Sequence, residues 1–175
     1  MRIVYASFRE EPPLIDVGLV IGYSLLTSYG IRRDTRVITD LVYRGVSVRL
    51  VVDGRRVRHL RMDADSLSGF VRRALQGKLR GVTVTRPSIV NADVCLYLED
   101  GQLHIQDADV ILPPALRDAN IVIFPGIDDS SLSCRHIVNV ELVGNIVIWL
   151  RAGIVQTMMD RWLYGRDGGA RGTRS

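Results

Sequence analysis

The chain is poor in the residues that hold metals. Two cysteines and three histidines in 175 residues, scattered and without a CxxC pair, argue against a zinc site and lead us to expect no metal. Cys95 and Cys134 are far apart and match no ligand spacing, so both are expected as buried free thiols. No apolar run is long enough to span a bilayer, and the stretch MRIVYASFREEPP lacks the apolar centre of a signal peptide. A soluble, cytoplasmic protein with no membrane partner is therefore expected. Neither GxGxxG nor GxxxxGK[ST] occurs, which removes the usual dinucleotide fold and the P-loop. Lysine is almost missing too: Lys78 is the only one among 23 basic residues.

What replaces lysine is arginine, and it is clustered. The net charge is +4 and the pI about 9.4. A general bias toward arginine would explain the ratio. It would not explain the groups Arg32, Arg33, Arg36, then Arg55, Arg56, Arg58, Arg61, then Arg72, Arg73, Lys78, Arg80. Planar guanidiniums suit phosphate, so a basic first half points to a polyanionic partner. An apolar fraction of 47% is that of a globular chain, here read as one domain over 1–164. The Gly- and Arg-rich segment 165–175 offers no anchor and is expected to be disordered.

Hydropathy patterning gives the elements. Arg2 to Phe8 reads as a strand; Asp16 as an N-cap for a helix over Val17 to Tyr29, closed by Gly30. Thr35 to Tyr43 reads as a strand. Val46–Val52 and Arg55–Leu60 flank Asp53-Gly54, a strong hairpin signal. Asp63 to Gly77 carries Leu67, Phe70, Val71, Ala74 and Leu75 on one helical face. Val82–Arg86 is a further strand, and Val94–Leu98 and Gln102–Ile105 flank a turn at Asp100-Gly101. Ile121–Phe124 and Asn145–Leu150 are apolar on both faces, as strands of a buried parallel sheet are. Between them 128–143 crosses over as helix or strand, and Ile154–Tyr164 is a closing helix. The pattern is α/β with a mostly parallel central sheet, whose ligands sit beyond the carboxyl ends of the strands. Pro125-Gly126 and Arg151-Ala152-Gly153 are accordingly the pocket-forming segments.

The succession "IRRD" after an apolar helix, "TRVITDLVY", "VRLVVDGRRVRHL" and "MDADSLSGFVRRAL", followed by "ANIVIFPGIDD" and "NIVIWLRAG", resembles the archaeal tRNA pseudouridine-N1 methyltransferases of the SPOUT superfamily. The resemblance implies a SPOUT-type fold with a C-terminal trefoil knot, a homodimer, tRNA as partner and S-adenosyl-L-methionine as cofactor. It puts Pro125, Gly126 and Ile127 on one wall of the cofactor site, Trp149, Leu150, Arg151 and Gly153 on the other, and Leu96 as an apolar contact. Arg32, Arg33, Arg36, Arg58 and Arg61 are expected on the RNA, and Asp16 as the base that takes the N1 proton. Two other activities remain open: ribose 2′-O-methylation on the same fold, and RNA binding without turnover.

Competing readings attach to single features. Arg32 and Arg33 either contact phosphate or cap the helix ending near Gly30. Asp34 is expected to orient Arg36 or Arg33 by a salt bridge. The apolar residues of the first and last helices, among them Ile154, Val155, Met158, Met159, Trp162 and Leu163, face either a second subunit or the core.

Overall fold

The computed structural model describes residues 1–101, 121–124, 132–143 and 147–164. The elements in chain order are β1 (Arg2–Ser7), α1 (Leu14–Leu25), β2 (Leu26–Thr27), β3 (Gly30–Ile31), β4 (Thr35–Tyr43), β5 (Val46–Asp53), α2 (Ala64–Leu75), β6 (Val82–Thr85), β7 (Val90–Gly101), β8 (Ile121–Phe124), β9 (Leu132–Val143) and α3 (Ile148–Tyr164). One seven-stranded sheet runs β6-β5-β4-β1-β8-β7-β9. From β4 to β9 every neighbour is parallel. β5 and β6 are added antiparallel at one edge. The protein is α/β, as expected, and its sheet is mixed, parallel from β4 to β9 and antiparallel at β5 and β6.

The core explains that architecture. Val4, Ala6, Val37, Leu41, Leu50 and Val52 alternate along β1, β4 and β5 onto one face, and side chains of α1, α2 and α3 cover them. Val17, Val20, Ile21, Leu25, Leu67 and Val71 are fully buried there, each contributing about 1.5–3 kcal/mol. The opposite face carries Ile3, Tyr5 and Ile38, packed with Val90, Ala92 and Cys95. α1 and α2 approach closely because Gly18 presents no side chain: a Cβ there would lie 2.8 Å from the Leu67 Cβ.

Several expectations are corrected. The hairpin lies at Arg44-Gly45, between β4 and β5, not at Asp53-Gly54. Both turn residues take positive φ, 51° and 74°, which the two-residue turns matched to strand twist require. Asp53-Gly54 instead ends β5, and residues 55–62 form no strand. Gly54 is needed because a Cβ would collide with the Arg32 carbonyl oxygen. α1 begins two residues before Asp16, with Pro13 at the N-cap position and no side-chain cap. Asp16 sits inside the first turn, where its charge suits the helix dipole. The helix ends at Leu25 and not at Gly30, which belongs to the β2–β3 ribbon. Asp100-Gly101 is not a turn; both residues lie in β7, paired with Leu142 and Val143 of β9. Residues 132–143 are strand. Ile148, Trp149 and Leu150 open α3 instead of ending a strand. The segments 102–105 and 165–175 lie outside the described residues.

The cysteines are also corrected. Cys95 and Cys134 are joined by a disulfide between β7 and β9, with their Cα atoms 5.9 Å apart. β7 and β9 are neighbouring parallel strands, and the bond joins across them two residues 39 apart in sequence. Such bonds persist in oxidising compartments and in the cytosol of hyperthermophiles.

Candidate functional site

Two places carry the sequence-predicted residues, and they lie at opposite edges of the sheet. The first is the edge where the parallel strands end. β1 hands the chain through α1 to β4 on one side. β8, its other neighbour, connects to β9, which lies on the far side of β7. Connections that leave adjacent parallel strands in opposite directions open a crevice at their carboxyl ends, the usual ligand position in such sheets. β8 ends at that crevice; Pro125, Gly126 and Ile127, next in sequence, lie outside the described residues. Leu96 is on β7 in register with Ile123 of β8 and Val138 of β9. Asp16 belongs to the same edge, in the first turn of the helix that follows β1, and is half-buried.

The expected second wall is differently employed. Trp149 stacks on Tyr23 of α1, ring centroids 5.1 Å apart. Gly153 lets α3 close on that same ring, since a Cβ would come within 2.8 Å of Tyr23 Cδ1. Arg151 is buried and Leu150 is 37% exposed. These residues are the first turns of a helix packed on α1, and Leu150 and Gly153 also line the cleft between α1 and α3.

The second place is the amino edge, where β1 and β4 begin. Here the sequence spends its arginines in two distinct ways. Arg32 is buried, and its guanidinium faces the end of α1. Nη1 donates to the carbonyls of Leu26 at 2.9 Å, Ser24 at 3.2 Å and Tyr23 at 3.4 Å, and the Arg32 backbone N–H donates to Leu25 at 2.7 Å. The other side of the fork holds Asp160 of α3, at 2.9 Å from Nε and 2.8 Å from Nη2. The capping alternative is therefore the one the geometry carries for Arg32. Asp34 takes Arg2, through Nε at 3.1 Å and Nη2 at 2.8 Å. Arg2 Nη1 then reaches Asp160 at 2.7 Å. Burial opposes the Arg2 charge, but the hydrogen bonds and charges of Asp34 and Asp160 outweigh it and raise its pKa above that of a free arginine.

Arg33, Arg58 and Arg61 are exposed. Arg36 is intermediate and reaches Asp53 only at 3.8 Å. Between α1, the β2–β3 ribbon and α3 lies a cleft of about 930 Å³, lined among others by Tyr23, Tyr29, Met62, Ile154 and Asp160. Tyr29 at the ribbon tip is fully exposed. Of the apolar residues offered to a second subunit, Val17, Val20, Ile21, Leu25, Val155 and Met159 are core.

A buried charge pair escaped the sequence reading. Arg49 Nε and Nη2 each hold Asp40 at 2.6 Å, and Tyr5 donates its hydroxyl to the same carboxylate at 2.8 Å. Asp40 and Arg49 are cross-strand partners in β4–β5. Placing the hairpin at Arg44-Gly45 would have aligned them. Among the described residues no group of three or more His, Cys, Asp or Glu is arranged to hold a metal, and no helix is long and apolar enough to cross a membrane. In comparisons with known proteins the chain matches no family model and no curated protein.

Proposed function

We propose that the chain is an S-adenosyl-L-methionine-dependent tRNA methyltransferase of SPOUT type, knotted and dimeric, whose target is N1 of a pseudouridine in the T-loop. The observation that carries this reading is the crevice between β1 and β8. β8, the strand that directly precedes in sequence the segment the resemblance assigns to cofactor binding, ends there, and Leu96 lies on the neighbouring strand. The basic first half supplies the second support, since a folded RNA must be held against the site.

Cofactor binding is assigned to Leu96, Pro125, Gly126 and Ile127, with Trp149, Leu150, Arg151 and Gly153 as the second wall. The cofactor supplies a methyl group already activated on a sulfonium, so positioning the attacking nitrogen does much of the work. The protein's remaining task is to remove the N1 proton, and Asp16, at the same edge of the sheet, is the carboxylate assigned to it. No step asks for a metal.

Titration calorimetry with S-adenosyl-L-methionine and mass spectrometry of nucleosides after incubation with tRNA test this reading. Binding together with a methylated pseudouridine base is the expected result. A 2′-O-methyl ribose replaces the target, tRNA binding without transfer removes the catalytic role, and no cofactor binding removes the reading itself.

A further inference from the structure

Three separate segments meet at the amino edge of the sheet, and their backbones are fastened to each other. The Gly54 N–H donates to Thr35 at 3.0 Å, and the Asp53 N–H donates to Gly81 at 2.9 Å. Arg55 Nε donates to the Arg33 carbonyl at 3.3 Å. Gly81 lies so close to the turn after β5 that a Cβ would stand 2.6 Å from the Arg56 carbonyl carbon. The exposed cations Arg33, Arg55, Arg56 and Arg80 are thereby gathered on one rigid platform, with Arg58 following in the same strandless segment. The carboxylates nearby are engaged: Asp34 binds Arg2, while Asp53 faces Arg36 and accepts from the Arg55 N–H.

We infer that this platform is a phosphate-binding surface for RNA, on the opposite edge of the sheet from the crevice between β1 and β8. The inference rests on the RNA-methyltransferase reading for its ligand. It adds that RNA is gripped roughly 17–20 Å from the reacting edge, the length of β1. Arginine is the cation throughout, on a fixed backbone, which fits the repeating planar anion of a nucleic acid better than a flexible acidic peptide. Tyr29, fully exposed in the same connection between α1 and β4, offers a ring on which an unpaired base can stack.

The test is a titration of full-length protein with an unmodified tRNA transcript between about 50 and 200 mM salt. The triple variant Arg33→Ala, Arg56→Ala, Arg80→Ala is expected to bind about 10- to 100-fold more weakly, with the slope of log K against log salt flatter by about two to three units. Alanine keeps the Cβ of Arg56 that packs beside Gly81, and a thermal melt close to the parent's verifies the fold. The matching lysine triple is expected to keep most of the slope. Removing Arg9 and Arg44, at the other edge, is expected to leave both quantities nearly unchanged. The inference is overturned if the alanine triple keeps the parent's slope, if the Arg9/Arg44 pair carries it, if the parent does not bind tRNA, or if polyglutamate binds as tightly. Calorimetry with S-adenosyl-L-methionine on the same proteins keeps the two ideas apart. Lost cofactor binding in the parent sinks the methyltransferase reading, and the salt slopes still decide the platform.

Discussion

α1 and α2 are of equal length and lie side by side, yet they end in opposite ways. α2 is closed by its own sequence. Gly77 takes φ +70°, its N–H donates to Ala74 at 2.8 Å, and the Lys78 N–H donates to Arg73 at 3.0 Å, the paired bonds of a Schellman ending. α1 has no glycine where it stops. Its last carbonyls are satisfied from outside by Arg32, which the short β2–β3 ribbon carries back to the helix end. Arg32 is in turn held by Asp160, from the far end of the chain. A helix end closed locally is an independent unit. One closed at a distance ties three elements into a single event, because losing any member exposes the others.

The largest way to break that contrast is to remove Asp160. Asp160→Ala leaves Arg32 and Arg2 short of a counter-charge while both stay buried. The carboxylate is itself 30% exposed, so the cost falls below that of a fully buried pair, at about 2–3 kcal/mol. That corresponds to a melting temperature lower by roughly 5–10 °C. Hydrogen exchange should show the last turn of α1, the ribbon and the end of α3 losing protection together, while α2 keeps its own. Protection lost in α3 alone would mean that the network does not couple the three elements.

This difference between near and far also decides what could be read from sequence. The strand Thr35–Tyr43, the apolar face of α2 and the strand Ile121–Phe124 were legible because period and neighbouring residues determine them. Gly30 misled because glycine after an apolar run signals a helix end, whereas here the chain leaves the helix five residues earlier and glycine serves a ribbon. Asp53-Gly54 misled for a related reason. The signal was sound, but Gly54 answers to a crowding carbonyl from Arg32 and not to a hairpin. The disulfide could not be read from two cysteines 39 apart, since their meeting depends on β7 and β9 lying side by side in the sheet. Of the candidate site, the crevice edge was foreseeable from the parallel strands. The division of labour among the arginines was not: whether Arg32 or Arg33 faces inward depends on where α1 stops.

A smaller effect sharpens the comparison from the other side. Gly77→Ala puts a Cβ on a residue with φ +70°, where nothing lies within 4 Å to clash with it. The cost is therefore backbone strain alone, about 1 kcal/mol, or a few °C. Exchange protection should fall at the end of α2 only. If α1 and α3 loosened as well, the local ending would not be local.

The smallest effect belongs to the start of α2. Asp63 accepts a hydrogen bond from the Ser66 N–H at 2.9 Å, and that bond holds its carboxyl below the usual aspartate value. A depressed folded-state pKa means the cap's contribution is complete above the unfolded pKa and disappears as pH falls through the folded one. The group is exposed, so the gain is slight. Between pH 7 and about 5 the cap stays intact, and below about 4 it weakens. Asp63→Asn keeps an acceptor oxygen but removes the titration. Its melting temperature should match the parent's within a few °C at neutral pH, and the gap should shrink further in acid. A gap that widened on acidification would assign the pH dependence to some other carboxylate and leave the cap as geometry without charge.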